Sequence, residues 1–184
     1  MNTMGFDKIS LTGRALKYLG QREHSRLELE RKLAPHVQDG EDLGAVLDAL
    51  EAKGFINPER VAQSVLYRRS GKLGNARVLH ELRSKGLDDD TVRAAAEQLK
   101  DTEHARAWAV WQRKFGTPAS TPQERMKQMR FLASRGFGGD VVNKVLRGRA
   151  PGEDRHRAER SARRCGTAPS RHRCSITTAI SRWS

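Results

Sequence analysis

Aromatic side chains are scarce in this chain of 184 residues, at 5% of the total, and hydrophobic residues of every kind reach only 36%. So lean a composition argues against one thick globule and favours a thin, elongated helical assembly. Cysteine is nearly absent: Cys165 and Cys174 both lie close to the C-terminal end, so no disulfide framework holds the body together. A reducing cytoplasm is the expected setting. No apolar run approaches the length of a transmembrane helix, and the opening MNTMGFDKIS lacks the apolar stretch of a secretory signal. Acidic residues are also in deficit, 22 against 35 Lys and Arg, for a net charge of +13. An excess of this size points to an anionic partner such as nucleic acid, an acidic protein surface or a membrane face.

Catalytic patterns are missing as well. There is no H-E-x-x-H motif and no G-x-S-x-G elbow. Ser70-Gly71-Lys72 resembles a phosphate loop only superficially, because Leu66 stands where the first glycine is needed and Leu73 where Ser or Thr would hold the metal. His24, His36, His80 and His104 are scattered with no carboxylate or nucleophile at a telling spacing. His156, Cys165, His172 and Cys174 have no usual zinc spacing, so they read as tail residues rather than as a metal site. No catalytic residue, cofactor or metal is expected.

Helical signals fill the rest. Leu11, Ala15, Leu16 and Leu19 are spaced as one apolar face. Ser25 and Glu28 form a capping box that opens a helix with Leu29 and Leu33 on its inner side; Pro35 permits only a ragged end. Leu43, Val46, Leu47 and Leu50 mark a third helix, stopped at Lys53-Gly54 before Phe55. Asn57-Pro58 starts the next, with Val61, Val65 and Leu66 inward, and Ser70-Gly71 breaks it. Val78, Leu79 and Leu82 define another that closes at Lys85-Gly86. Leu87 then packs back, and the Asp88 to Asp90 run caps the helix carrying Val92, Ala95, Ala96 and Leu99. Trp108, Trp111 and Phe115 fall on one helical face and read as core before base-stacking groups. A second capping box, Thr121 with Glu124, opens the helix through Met129 and Leu132, and Val141, Val142, Val145 and Leu146 supply the last.

An offset of fifty positions lays Leu82 on Leu132, Lys85 on Arg135, Gly86 on Gly136, Leu87 on Phe137, Asp90 on Asp140 and Val92 on Val142. The chain therefore reads as all-α, an array of three tandem three-helix, helix-turn-helix-like repeats. The expected divisions are a flexible segment 1–9, repeats at 10–56, 57–100 and 101–148, and a basic disordered tail at 149–184. In the first repeat a longer loop joins the second and third helices. Residues 151–184 carry 8 Lys and Arg against 3 acids but show no apolar face. They read either as a basic arm or as sequence beyond a frameshift, which peptide mass spectrometry of the native protein distinguishes.

Cations recur in each repeat. Arg22, Arg26, Arg31 and Lys32 surround the second helix, and Arg68, Arg69, Lys72, Arg77, Arg83 and Lys85 the middle repeat. Arg125, Lys127, Arg130 and Arg135 follow in the third. Charged helix faces are most often merely solvated, but here the body alone carries 27 cations against 19 acids.

The ordered series of motifs resembles the RecX family of recombination regulators. It includes ALKYL from Ala15, Arg22-Glu23-His24-Ser25-Arg26, Leu29, Lys32-Leu33, and LEAKGFI from Leu50. Then come Tyr67-Arg68-Arg69, Leu73-Gly74, ELRSKGL from Glu81, Arg130-Phe131-Leu132, Arg135-Gly136-Phe137 and Val145-Leu146-Arg147-Gly148. Together they run over residues 10–148, where the family pattern normally ends. The resemblance implies a non-enzymatic, monomeric protein that binds the RecA recombinase filament on single-stranded DNA. Such proteins modulate, and mainly inhibit, filament growth, strand exchange, ATPase and co-protease activity in DNA repair and the SOS response. Weak direct DNA contact and no membrane role are the accompanying expectations. Candidate contacts are Arg22, Arg26, Arg31, Lys32, Arg68, Arg69, Lys72, Arg77, Arg83, Lys85, Arg130 and Arg135. The alternative is an autonomous helix-turn-helix-like DNA-binding protein, whose affinity for DNA alone would fall steeply with salt.

Overall fold

A computed structural model describes residues 9–38 and 40–152. The expectations for the first eight residues, for the segment beyond residue 152 and for its histidines and cysteines lie outside the described residues. Nine helices follow one another among the described residues: α1 (Leu11–Leu19), α2 (Arg26–Leu33), α3 (Leu43–Ala52), α4 (Pro58–Arg69), α5 (Asn75–Ser84), α6 (Asp89–Lys100), α7 (Glu103–Lys114), α8 (Pro122–Ser134) and α9 (Gly139–Leu146). The helices pack chiefly in triplets, α1–α3, α4–α6 and α7–α9, and each triplet closes on its own buried cluster.

Local chemistry explains where the helices begin. The Ser25 hydroxyl accepts from the Glu28 N–H while the Glu28 carboxylate accepts from the Ser25 N–H, and Thr121 and Glu124 repeat the arrangement. Asn57 and Asp88 cap α4 and α6. Beyond Leu33 the chain tightens into a 3-10 turn, Ala34–His36, around Pro35.

The ends of α5 and α8 are built alike. The Gly86 N–H donates to the Arg83 carbonyl and the Leu87 N–H to Leu82; in α8, Gly136 donates to Ala133 and Phe137 to Leu132. This six-residue closure needs a left-handed residue, and Gly86 and Gly136 have φ of 73° and 82°. Leu82, Leu87 and Val92 are buried, as are Leu132, Phe137 and Val142. Leu16 corrects the sequence reading: it is 39% exposed, and Leu11 and Ala15 carry the buried face of α1 with help from Tyr18 and Leu19. Apolar spacing alone marks a face that is wider than the one the neighbours cover.

The two joints between triplets differ. At the first, the Lys85 ammonium reaches Glu28 at 2.6 Å, Arg60 reaches Glu23 at 3.2 Å, and Leu27 lies against Gly86. Among the described residues no backbone hydrogen bond joins α1–α3 to α4–α6, and a cleft of about 180 Å³ remains between Arg26, Glu51, Pro58 and Leu87. At the second joint, backbone meets backbone: Gly74 N–H donates to the Arg135 carbonyl at 2.9 Å, and Ala76 N–H to the Gly136 carbonyl at 3.2 Å. A Cβ on Gly74 would fall 2.3 Å from Gly136 backbone atoms, so only glycine permits this approach.

Two side chains of α7 fasten that second joint. Helices α5 and α9 begin at Gly74 and Gly138, which have no side chain to cap them. The Glu103 carboxylate serves both, accepting from Asn75 N–H and from Gly138 N–H at 3.2 Å each. The Arg106 guanidinium donates to the carbonyls of Ser70, Leu73 and Leu99, to Asn75 Oδ1 and to Thr102 Oγ1. All five of its N–H groups are thereby used. Burial pulls its pKa down, and the ring of acceptors compensates for the lost water.

Candidate functional site

The cations singled out in the sequence divide by what they touch. One set is spent inside the fold around Glu28. Arg22 lies 3.1 Å and Lys85 2.6 Å from its carboxylate. Burial alone would push this carboxyl up, but the hydrogen bonds from Lys85, the Ser25 N–H and Arg22 outweigh it and hold the pKa at about 2. Arg26 bridges to Asp48 at 2.5 Å and to Glu51 at 2.7 Å, tying α2 to α3. Arg69 pairs with Glu81 at 3.0 Å, and Arg68 donates to the Ser64 carbonyl. Lys32 lies 4.6 Å from the centre of the Tyr18 ring. Arg31, Arg77, Arg83 and Arg130 are exposed, and the backbone of Arg77 abuts Gly136.

Lys72 and Arg135 come together at a cleft of about 240 Å³ beside the second joint. Arg113, Lys114, Val110 and Phe131 complete its lining. Lys72 stands just beyond the end of α4, Arg113 and Lys114 occupy the last turn of α7, and Arg135 ends α8. No carboxylate lines the cleft. The Arg135 guanidinium lies 3.9 Å from the centre of the Phe131 ring, whose edge contact with Phe115 fixes its orientation. Because the Arg135 carbonyl also accepts from Gly74, the same residue holds the joint and the wall of the cleft. Arg135 and Lys85 occupy equivalent places in their repeats but do different work: Lys85 is neutralised by Glu28, while Arg135 faces a cleft without acids.

Sequence reasoning passed over Arg113 and Lys114, though a basic pair in a helix's last turn before Phe115-Gly116 is a visible signal. Tyr67, named in the sequence only as part of a motif and not as a contact, is 90% exposed beside Arg68. Trp111 is core, as its spacing implied, and its indole N–H donates to the buried Gln128 at 2.9 Å. His24 is buried, with Nδ1 unpartnered and 3.9 Å from Glu28. Burial, then the charges of Arg22 and Lys32, lower its pKa to about 4, against the opposing pull of Glu28. No group of His, Cys, Asp and Glu among the described residues is arranged to hold a metal ion. No helix among them is long and apolar enough to cross a membrane.

Known proteins place this architecture. The family description "RecX, third three-helix domain" matches residues 101–146. The Regulatory protein RecX of Leptothrix cholodnii is 51% identical over 140 residues, covering 76% of this chain and 89% of that protein. That of Herminiimonas arsenicoxydans is 46% identical over 147 residues, covering 80% and 97%. The crystal structure of RecX from Lactobacillus salivarius superposes with a TM-score of 0.63 over 76% of this chain and 94% of that one; at 19% identity it speaks for the fold alone. Identity of this depth, over three quarters or more of the chain, shows that it belongs to the RecX family of regulatory proteins.

Proposed function

We propose that the protein binds the RecA recombinase filament and limits its growth, strand exchange, ATPase and co-protease activity, without chemistry of its own. The observation that carries this reading is the family membership, joined to a surface on which Arg31, Arg83, Arg130 and the cleft cations have no carboxylate partner among the described residues. Tyr67 and Arg68 add an exposed aromatic beside an arginine, the residue types enriched at protein interfaces. Occupying the filament's groove blocks access of partner DNA and repressor; binding its end stops extension.

The test is RecA ATPase on single-stranded DNA, titrated with the full chain at sub-stoichiometric ratios. Progressive loss of activity is expected, and Y67A/R68A should raise the concentration required. An unchanged ATPase, together with tight and salt-sensitive binding to DNA alone, would replace this reading with that of an autonomous DNA-binding protein.

A further inference from the structure

The cleft at the first joint is acidic on a chain that is otherwise basic. Its floor is apolar, made by Ile56, Pro58 and Leu87, and its mouth carries Arg26, Glu51 and Asp88. Arg26 is the one cation lining it, and it is shared between Glu51 and Asp48. Asp88 caps α6 through Thr91 and has no ion pair among the described residues. Asp48, Glu51 and Asp88 thus set three negative charges against one positive, where the body carries 27 cations against 19 acids. The plainest structural account is that these acids serve only Arg26 and the cap of α6. That explains the carboxylates, but not the apolar floor left open beneath them, about 180 Å³ in volume.

Such a cleft suits one apolar side chain with a cation beside it, and it repels phosphates and acidic segments alike. A matching pair stands elsewhere on α4. Tyr67 is 90% exposed. Arg68 spends only its Nε, on the Ser64 carbonyl, so its two terminal nitrogens are left for a carboxylate, which takes them side by side. Tyr67 lies nine residues beyond Pro58 on the same helix. At about 100° and 1.5 Å per residue, the two point to opposite sides, roughly 13 Å apart along the axis. The pair therefore does not reach its own cleft, whereas another molecule can present it. We infer that the cleft docks Tyr67 of a second copy of this chain, with the Arg68 of that copy on Glu51 and Asp88. Knob and socket are different surfaces, so the contact is head-to-tail and leaves one of each free at the ends of a row. It buries one side chain and one charge pair, far below the roughly 1,000 Å² of a lasting interface, so it is transient in dilute solution. It needs no RecA and goes beyond the filament reading.

The experiment places a photo-crosslinker at the knob, Tyr67→p-benzoylphenylalanine, in the full chain without RecA. After irradiation at high protein concentration, mass spectrometry maps the joined peptides. Dimers and longer ladders are expected, with links from position 67 to 56–58 or 86–88. E51Q/D88N removes the charge of the mouth while Asn keeps the cap of α6. It should lower the yield about tenfold, the loss of one charge-assisted pair. E30Q/E97Q, two exposed acids outside the cleft, should leave the yield unchanged. Mixing separates head-to-tail from face-to-face contact. A probe-bearing E51Q/D88N chain keeps the knob alone, and an isotope-labelled Y67A/R68A chain keeps the cleft alone. Together they should give mixed dimers and nothing larger. Circular dichroism melts of each variant separate these effects from unfolding. Absence of links, links from 67 to 67, or a yield that E51Q/D88N lowers no more than E30Q/E97Q would overturn the inference. Links that appear only with RecA present, and run to RecA, would also sink it while the filament reading stands. Links to the cleft support the contact, and RecA inhibition left intact by E51Q/D88N would show that the two activities use different surfaces.

Discussion

His24 shows how a single residue ties the fold to pH. Its ring is 1% exposed and lies edge-on to Tyr18, with Arg22 and Lys32 near enough to disfavour a second proton. The folded chain therefore holds it neutral to about pH 4, whereas an unfolded histidine takes its proton near 6.5. A depressed folded pKa means that the contribution is complete above pH 6.5 and is lost as pH falls towards 4. The gap corresponds to roughly 3 kcal/mol. Glu28 has the same sign in a lower window, its contribution lost from pH 4.5 towards 2. Urea melts at stepped pH should show stability falling already between 6.5 and 4, and His24→Leu should flatten that stretch while leaving the lower one. Persistence of the upper loss in His24→Leu would place its origin elsewhere.

Helices are the scale at which the sequence was most legible. Ser25 with Glu28, Thr121 with Glu124, Asn57 and Asp88 all start helices as their side chains dictate, because a cap is settled within four residues of chain. Ser25→Ala removes one acceptor at the start of α2 and should cost about 1 kcal/mol in a denaturant melt; because Glu28 also anchors Lys85, a larger loss would show that the cap positions the first joint too. The fifty-residue repeat was legible for the same local reason, since Gly86 and Gly136 end helices of one design. Leu16 was misread because periodicity counts apolar residues without knowing how wide a neighbour is. The joints and the cleft were hidden for a different reason. Lys85 meets Glu28, Glu103 meets Gly138, and Lys72 meets Arg135 across long stretches of chain, and no local pattern records such a meeting. Arg106 is the extreme case: in sequence it is one more arginine on a helix, and in the fold it holds five acceptors on two stretches of chain, Ser70 to Asn75 and Leu99 to Thr102.

Across the whole molecule, stability is divided unevenly between the two joints. Gly74→Ala drives a Cβ into the Gly136 backbone, an overpacking that should cost about 2–3 kcal/mol. Because α5 and α8 both lean on that approach, amide hydrogen exchange should quicken in the second and third triplets together. Lys85→Ala removes one side-chain bridge, and Arg22 still partners Glu28. Faster exchange should then be confined to α2 and its neighbours in the first triplet. Exchange that rose equally throughout in both variants would mean a single cooperative unit.

Glu103 gives the second joint a further property. One carboxylate closes the start of α5 and the start of α9, so neither helix can be remodelled without disturbing the other. Expressed as a constraint on change, the two later repeats have ceased to be interchangeable parts. Removing the third repeat, or inserting one before it, would take the Glu103 carboxylate away from α5 and leave the glycine start of that helix uncapped. The first triplet, held by side chains alone, is the piece that substitution can retune separately, while the cleft's four cations keep their spacing.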